Sequence, residues 1–385
     1  MSNISLLVGL KNNLDYNKHF YNTTRALYPE VEICFVSYAS TDGTHEWLHT
    51  LNDRNVHYYC STEQKTFSDT FNKAAELATN EYVAYAHNDV VLAPGFLENI
   101  AKHVAPNRIV SYTTIEPPIF SGHERPGKII YDLGTDLESF ELTKLYSYVE
   151  EKQKEYINKT EPGITFFMCM PRKALLEIGG MDNLYNPMFC EDDDIINRFK
   201  SIGLETITSL DAICYHFVSK TSRFSEEYQA RTQQIESTSN RNYIRKWGSR
   251  SSTKKYDIGY VMSNSNLALL SIVEPWCSTV YIVDRYKKDL CEYVDREQHL
   301  TKFDLKKKIK DFDSIKDNDI IVEFDGLKLT QESFNLLIQL PDIIAESGEV
   351  GEFELDMFKV TIRSLDRYEN KLITLDDPYY INQLI

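Results

Sequence analysis

From Ile4 onward the chain alternates short, mostly apolar runs with amphipathic stretches, with no sign of strands joined directly as hairpins. Ile4–Leu10 suits a strand covered on both faces, as in a parallel sheet. A helix is expected through Tyr16–Leu27, stopped by Pro29, then a strand at Val31–Val36 that opens into the turn-forming loop Ser37–Thr44. A helix at His45–Leu51, a strand at His57–Tyr59, a helix at Phe71–Ala78 and a strand at Tyr82–Ala86 continue the pattern. Such alternation predicts an α/β protein with a mostly parallel sheet flanked by helices.

In open α/β sheets ligands gather beyond the C-terminal strand ends, so polar residues there are candidates for chemistry. Tyr82–Ala86 empties into His87-Asn88-Asp89 before Pro94 opens a helix, although a single Asp in a loop also serves simply as a turn residue. A second candidate lies in Phe189–Phe217. There Glu191, Asp192, Asp193 and Asp194 form the first turn of a helix whose Ile195, Ile196, Phe199 and Ile202 make one apolar stripe, ended by Gly203. Acids in a first turn complement the helix dipole and need no function. Four in succession repel by about 1 kcal/mol per close pair in water, which a cation would relieve. Two extended pieces follow, Glu205–Thr208 and Ala212–Tyr215, and the second delivers His216 at its end. Between these candidates, Glu116–Lys128 is irregular and rich in Pro and Gly, as in a functional loop or lid. The sequence to Lys159 is polar and tyrosine-rich, Gly163–Met170 is an apolar run, and a helix at Lys173–Ile178 is closed by Gly179-Gly180.

A chain of 385 residues exceeds one typical core and indicates two domains. Polar Ser249–Lys255 serves as the linker, dividing residues 1–250 from 256–385. In the second part strands at Asp257–Met262, Thr279–Asp284 and Asp319–Phe324 alternate with helices at Asn266–Val273, Asp304–Phe312 and Gln331–Leu340, a smaller α/β sandwich. It faintly resembles a nucleotide-binding or methyltransferase-like sandwich, yet Ser263-Asn264-Ser265-Asn266 stands where a Gly-rich loop would be. Its expected role is contact with an acceptor or homo-oligomerisation, Asp284 is a cap or a ribose ligand, and Lys306, Lys307, Lys308 and Lys310 are a solvated helix face. A net charge of −16 argues against general nucleic-acid binding. No apolar run approaches the roughly 20 residues of a membrane span. Seven cysteines without close-paired spacing read as reduced thiols of a cytoplasmic protein.

Taken in order, Asn12, Ser40-Thr41-Asp42-Gly43-Thr44, Asn72, His87-Asn88-Asp89, Gly179-Gly180-Met181-Asp182, Glu191-Asp192, His216 and Lys246-Trp247-Gly248 resemble the pattern of the GT-A fold glycosyltransferases, in particular the family-two inverting enzymes. The resemblance covers residues 1–250. It implies a GT-A type sheet, a nucleoside-diphosphate sugar donor, a hydroxyl acceptor on a glycan, protein or other molecule, and Mn2+ or Mg2+. It implies metal ligation by Asp89 and His216, with His87 standing where the family usually has the first Asp of an Asp-any-Asp pair. Asp192 matches the general base, Glu191 is the alternative base or orients the acceptor, and Asp193 and Asp194 cap the helix. Ser37 stands where an Asp commonly contacts the nucleotide base. Asp42 matches the later acid of the same loop, either as a nucleoside contact or as a turn residue, and Asn72 joins the donor-binding set. Lys220 and Arg223, just past His216, suit a diphosphate. Two other readings are a nucleotidyltransferase, for which Leu10–Asp15 lacks a Gly-rich basic loop, and a catalytically degenerate scaffold that binds a glycan or nucleotide sugar, favoured by Ser37 and His87.

Overall fold

The computed structural model describes residues 3–118, 122–218, 228–248, 255–283 and 287–366. The chain divides into two compact units, residues 1–235 and 236–385.

In the first unit the strands are β1 (Ile4–Leu10), β2 (Glu32–Tyr38), β3 (Val56–Ser61), β4 (Tyr82–His87), β5 (Val90–Leu92), β6 (Arg108–Glu116), β7 (Lys128–Ile130), β8 (Thr160–Pro162), β9 (Met168–Pro171) and β10 (Glu205–His216). The helices are α1 (Leu14–Leu27), α2 (Thr44–Thr50), α3 (Phe67–Leu77), α4 (Phe96–Ala101), α5 (Leu142–Glu155), α6 (Arg172–Glu177) and α7 (Glu191–Ser201). The sheet runs β3-β2-β1-β4-β9-β6-β10-β5, with β7 beside β6 and β8 beside β10. β1 pairs in parallel with both β2 and β4, β2 with β3, and β6 with β10, while β5, β8 and β9 run antiparallel to their neighbours. The expected mostly parallel sheet is therefore borne out.

Alternation along β1 builds the core on both faces: Leu6 and Val8 pack with Phe20 of α1, and Leu7 packs on the other side with Phe71 and Ala74 of α3. α3 is set by a capping box in which Thr66 and Asp69 each satisfy the other's main chain. From β1 the chain proceeds to β2 and β3 on one side, then returns to β4 on the other. The crevice beyond the ends of β1 and β4 is thus a topological switch point, the place such sheets offer to ligands.

Parts of this unit depart from the sequence reading. β6 and α5 were not expected. α5 buries only Leu145 and Val149, so its polar, tyrosine-rich sequence shows little apolar stripe. The two extended pieces before His216 are one strand, β10. Its pairing with β6 jumps from Ser209 to Ile213, and this bulge, anchored by Ser209 Oγ donating to Asp211 Oδ1 at 2.8 Å, accounts for the apparent break.

Helix α8 (Thr232–Trp247) crosses the division between the units. The second unit holds β11 (Ile258–Met262), α9 (Leu267–Val273), β12 (Thr279–Ile282), α10 (Lys287–Glu297), α11 (Leu305–Lys308), β13 (Ile309–Asp311), β14 (Ile320–Phe324), α12 (Gln331–Ser347), β15 (Gly351–Leu355) and β16 (Phe358–Ile362). Its sheet runs β13-β12-β11-β14-β16-β15, parallel except for β15 and β16. The helix expected across Asp304–Phe312 ends at Lys308, where the chain turns into β13. Lys308 is not solvated: its Nζ lies 2.6 Å from the buried Glu274, which also holds Arg245 at 2.7 Å. Burial opposes the Glu274 charge, and these two cations overcome it, holding the carboxyl well below the usual range. Asp284 lies outside the described residues. Among the described residues no helix is long and apolar enough to cross a membrane.

Candidate active site

β10 runs antiparallel to β5, with His216 opposite Val90, and Phe217 N donates to Asp89 O at 3.0 Å. That register brings a residue at the end of β10 beside the turn that follows β4. Among the described residues, His87, Asp89 and His216 place their ligand atoms within 4.8 Å of one another, so that they can hold a metal ion. His216 Nε2 is 3.5 Å and His87 Nδ1 3.8 Å from Asp89 Oδ1. The donor chemistry fits a borderline dication, since two imidazole nitrogens and a carboxylate oxygen converge. The far nitrogen of His87, Nε2, is buried without a hydrogen-bond partner, and the ring is walled by Phe67, Phe166 and Phe167 with centroids 5.9, 4.7 and 5.1 Å away.

The surroundings set the two imidazoles apart. Burial lowers His87 to about 4, against the attraction of Asp89 and with the repulsion of His216. Burial also opposes charge on His216, but the carboxylates of Asp89 and Glu116 outweigh it and lift this ring to about 9. Glu116 ends β6, 3.2 Å from His216 Nδ1 and 2.9 Å from Lys128 Nζ. Burial works against its charge, and His216 and Lys128 prevail, holding it at about 2. Sequence reading placed Glu116 only at the start of an irregular loop. Recognising Arg108–Glu116 as a strand, from its Val, Thr, Tyr and Ile content, would have put this acid at the same sheet edge.

The four acids of α7 separate into different environments. Asp194 is fully buried, accepting from Tyr185 Oη at 3.0 Å and from Arg198 Nε at 2.7 Å. Arg198 in turn donates to Ile178 O and Gly180 O at 2.8 and 2.6 Å. Asp194 therefore fastens α7 to the Gly179-Gly180 turn, which corrects the expectation that it merely caps the helix, while Asp193 is exposed. Phe189 and Cys190 both take left-handed backbone, with φ of 78° and 67°, and this tight entry turns Glu191 inward. Glu191 is 8% exposed, with Oε2 unpartnered; burial foremost, then Asp192, raises its carboxyl to about 8. Asp192 is only partly covered and accepts from Asp193 N at 2.9 Å; burial, then Asp193, raises it too.

The remaining candidates are tied into the scaffold. Asp42 accepts from Leu14 N at 2.8 Å and from Thr44 Oγ1 and N at 2.6 and 3.1 Å, so its turn role is satisfied. Ser37 is buried, 2.8 Å from Ser40 Oγ and 3.0 Å from His45 Nε2. Asn72 spends its amide on Met181, accepting from N at 2.7 Å and donating to O at 2.8 Å. Asn17, unmarked in the sequence, accepts from Asn88 Nδ2 at 2.6 Å and donates to Asn12 O and Thr44 Oγ1, each at 3.0 Å. The loops after β1, β2 and β4 thus share one polar network. Lys220 and Arg223 lie outside the described residues. A cavity opens at the switch point, lined by Gly9, Lys11, Tyr38, Thr66, Phe67, His87, Asn88 and Met188 among others. It joins His87 to the segment that leads into α7.

Residues 5–179 match the family model of glycosyl transferase family 2. This stretch is a glycosyl transferase family 2 domain. It covers the switch-point crevice, His87 and Asp89. No curated protein matches the chain by sequence. Among solved structures, the mannosyltransferase PcManGT from Pyrobaculum calidifontis in complex with GDP-Man and Mn2+ is 19% identical, with a TM-score of 0.39 over 57% of this chain and 58% of that one. GalNAc-T7 with UDP, GalNAc and Mn2+ is 11% identical, with a TM-score of 0.41 over 55% of this chain and 42% of that one. TarS 1-349 of S. aureus is 11% identical, with a TM-score of 0.44 over 97% and 99%. The family match is the basis of the assignment; the structural likenesses are too low to add to it.

Proposed function

We propose that this chain is a metal-dependent, inverting glycosyltransferase that moves a sugar from a nucleoside-diphosphate sugar to an acceptor hydroxyl. The observation that carries the proposal is the convergence of His87, Asp89 and His216 beside the switch-point cavity of a family 2 domain. His87, Asp89 and His216 are the proposed ligands of Mn2+ or Mg2+. Bound there, the ion supplies Lewis-acid stabilisation to the charge developing on the departing diphosphate. Asp192 is the proposed general base. Its carboxylate takes the proton from the acceptor hydroxyl while that oxygen bonds to the anomeric carbon. The bond from that carbon to the diphosphate oxygen breaks, and its electron pair leaves with the nucleoside diphosphate. A single displacement inverts the centre. Burial moves Asp192 upward, toward the range in which a carboxylate works as a base near neutral pH.

Asp42, Ser37 and Asn72 act in this reading by shaping the donor crevice through the hydrogen bonds described above, and Lys220 and Arg223 are assigned to the diphosphate. Residues 1–250 form the catalytic domain, and 256–385 contact the acceptor or a second copy of the chain. The free cysteines support a cytoplasmic setting. The test is calorimetric titration with a panel of nucleoside diphosphates and their sugars, in Mn2+, in Mg2+ and in chelator. Metal-dependent binding of one nucleotide supports the proposal. Binding without turnover against any acceptor favours the degenerate scaffold, and no binding by folded protein overturns the reading.

A further inference from the structure

β6 and β10 run in parallel with Ile115 opposite Tyr215, so Glu116 and His216 end neighbouring strands at the same level. Glu116 is held on both oxygens. Oε1 lies 3.2 Å from His216 Nδ1 and accepts from Thr114 Oγ1 at 3.3 Å; Oε2 is 2.9 Å from Lys128 Nζ. The carboxylate is 8% exposed as a residue and has no freedom to swing away. We propose that Glu116 is a positioning residue that keeps the His216 proton on Nδ1 and turns the ring so that Nε2 is the atom offered to the metal. The inference rests on the metal-dependent reading above. A carboxylate that accepts from the remote nitrogen of a ligating imidazole fixes the tautomer, restrains the ring and strengthens the donor nitrogen; its loss typically weakens metal binding about 10–100-fold. Lys128 acts one step further out, by anchoring Glu116.

The test is Mn2+ titration calorimetry on the full chain, with melting temperatures recorded in chelator and in Mn2+, for the parent, Glu116→Gln, Lys128→Met and His216→Ala. Glu116→Gln keeps the shape but loses the charge and can turn its own N–H toward the ring. It is expected to weaken Mn2+ binding about 10–100-fold and to shrink the melting shift that Mn2+ produces, and Lys128→Met is expected to weaken binding several-fold. A role in the fold alone would lower the metal-free melting temperature and leave Mn2+ affinity where it was. Parent-like affinity in Glu116→Gln, alongside loss in His216→Ala, overturns the inference and leaves the metal site standing. Should Glu116→Gln fail to fold, unchanged affinity in Lys128→Met overturns it instead. A parent that takes up no Mn2+ overturns both this inference and the metal-dependent reading.

Discussion

Asp194 and Arg198, one turn apart on α7, meet as a completely buried ion pair at 2.7 Å. Tyr185 donates to Asp194 and Arg198 donates to Ile178 O and Gly180 O, and the proposed base, Asp192, stands in the first turn of the helix they secure. Removing one partner strands the other charge in the core. Arg198→Met is expected to lower the unfolding free energy by about 3–5 kcal/mol, read from urea denaturation. A loss under about 1 kcal/mol would place this pair with ordinary surface ion pairs and contradict the assignment.

Asp192→Asn is expected to cut turnover at least ~10²-fold while donor and metal affinity stay near those of the parent. Single-turnover rates and nucleotide titration separate the two effects. Undiminished turnover removes Asp192 from the role of base.

Asp89→Ala acts at the other pole of the site. It is expected to weaken Mn2+ by more than the about 10–100-fold typical of groups behind the ligands, and with it the metal-dependent part of nucleotide binding. Calorimetry in Mn2+ and in chelator measures that part directly. The same Mn2+ increment in the variant would take Asp89 out of the ligand set.

Glu191 gives a pH signature. Its carboxyl is raised from 4.5 to about 8, so between these values the folded protein holds a proton that the unfolded chain has released. Stability through this group falls as pH rises across that window, at a rate approaching ~1.4 kcal/mol per pH unit. Glu191→Gln should remove that slope and be more stable than the parent at pH 8. Urea midpoints from pH 5 to 8 read it, and parallel profiles for the two proteins would refute it.

Gly180 faces Asn72 so closely that an added Cβ would lie 2.2 Å from Asn72 Oδ1, and its φ is +72°. Gly180→Ala is expected to cost at least ~1–3 kcal/mol and to loosen the Asn72–Met181 hydrogen bonds. Thermal unfolding together with amide exchange at Met181 tests both parts. Parent-like exchange would show that the clamp tolerates the methyl.

Strands β1, β2 and β4 were legible because they are apolar along their length, and a strand covered on both faces needs that. His87, Asp89 and His216 were legible from where strands end. Glu116 was not, since its importance comes from a pairing between β6 and β10 across nearly a hundred positions, which local pattern does not carry. Asp194 and Arg198 have helical spacing that reads as a surface pair; only the packing of Tyr185 and the glycine turn over them makes them core. Lys308 misled for the same reason, because a lysine run looks solvated until a buried acid such as Glu274 lies within reach. Asn17 carried no signal at all, being one asparagine in a helix, yet it joins three loops.

That junction has a consequence for anyone wishing to re-engineer the proposed donor crevice. Asn17 takes a hydrogen bond from Asn88 and gives others to Asn12 and Thr44, so the three segments are co-dependent parts of one scaffold. A loop grafted from another enzyme at any one of them would arrive without its counterparts and leave buried amides unmatched. Grafts that move all three together, with the helix residue that links them, are the transferable unit.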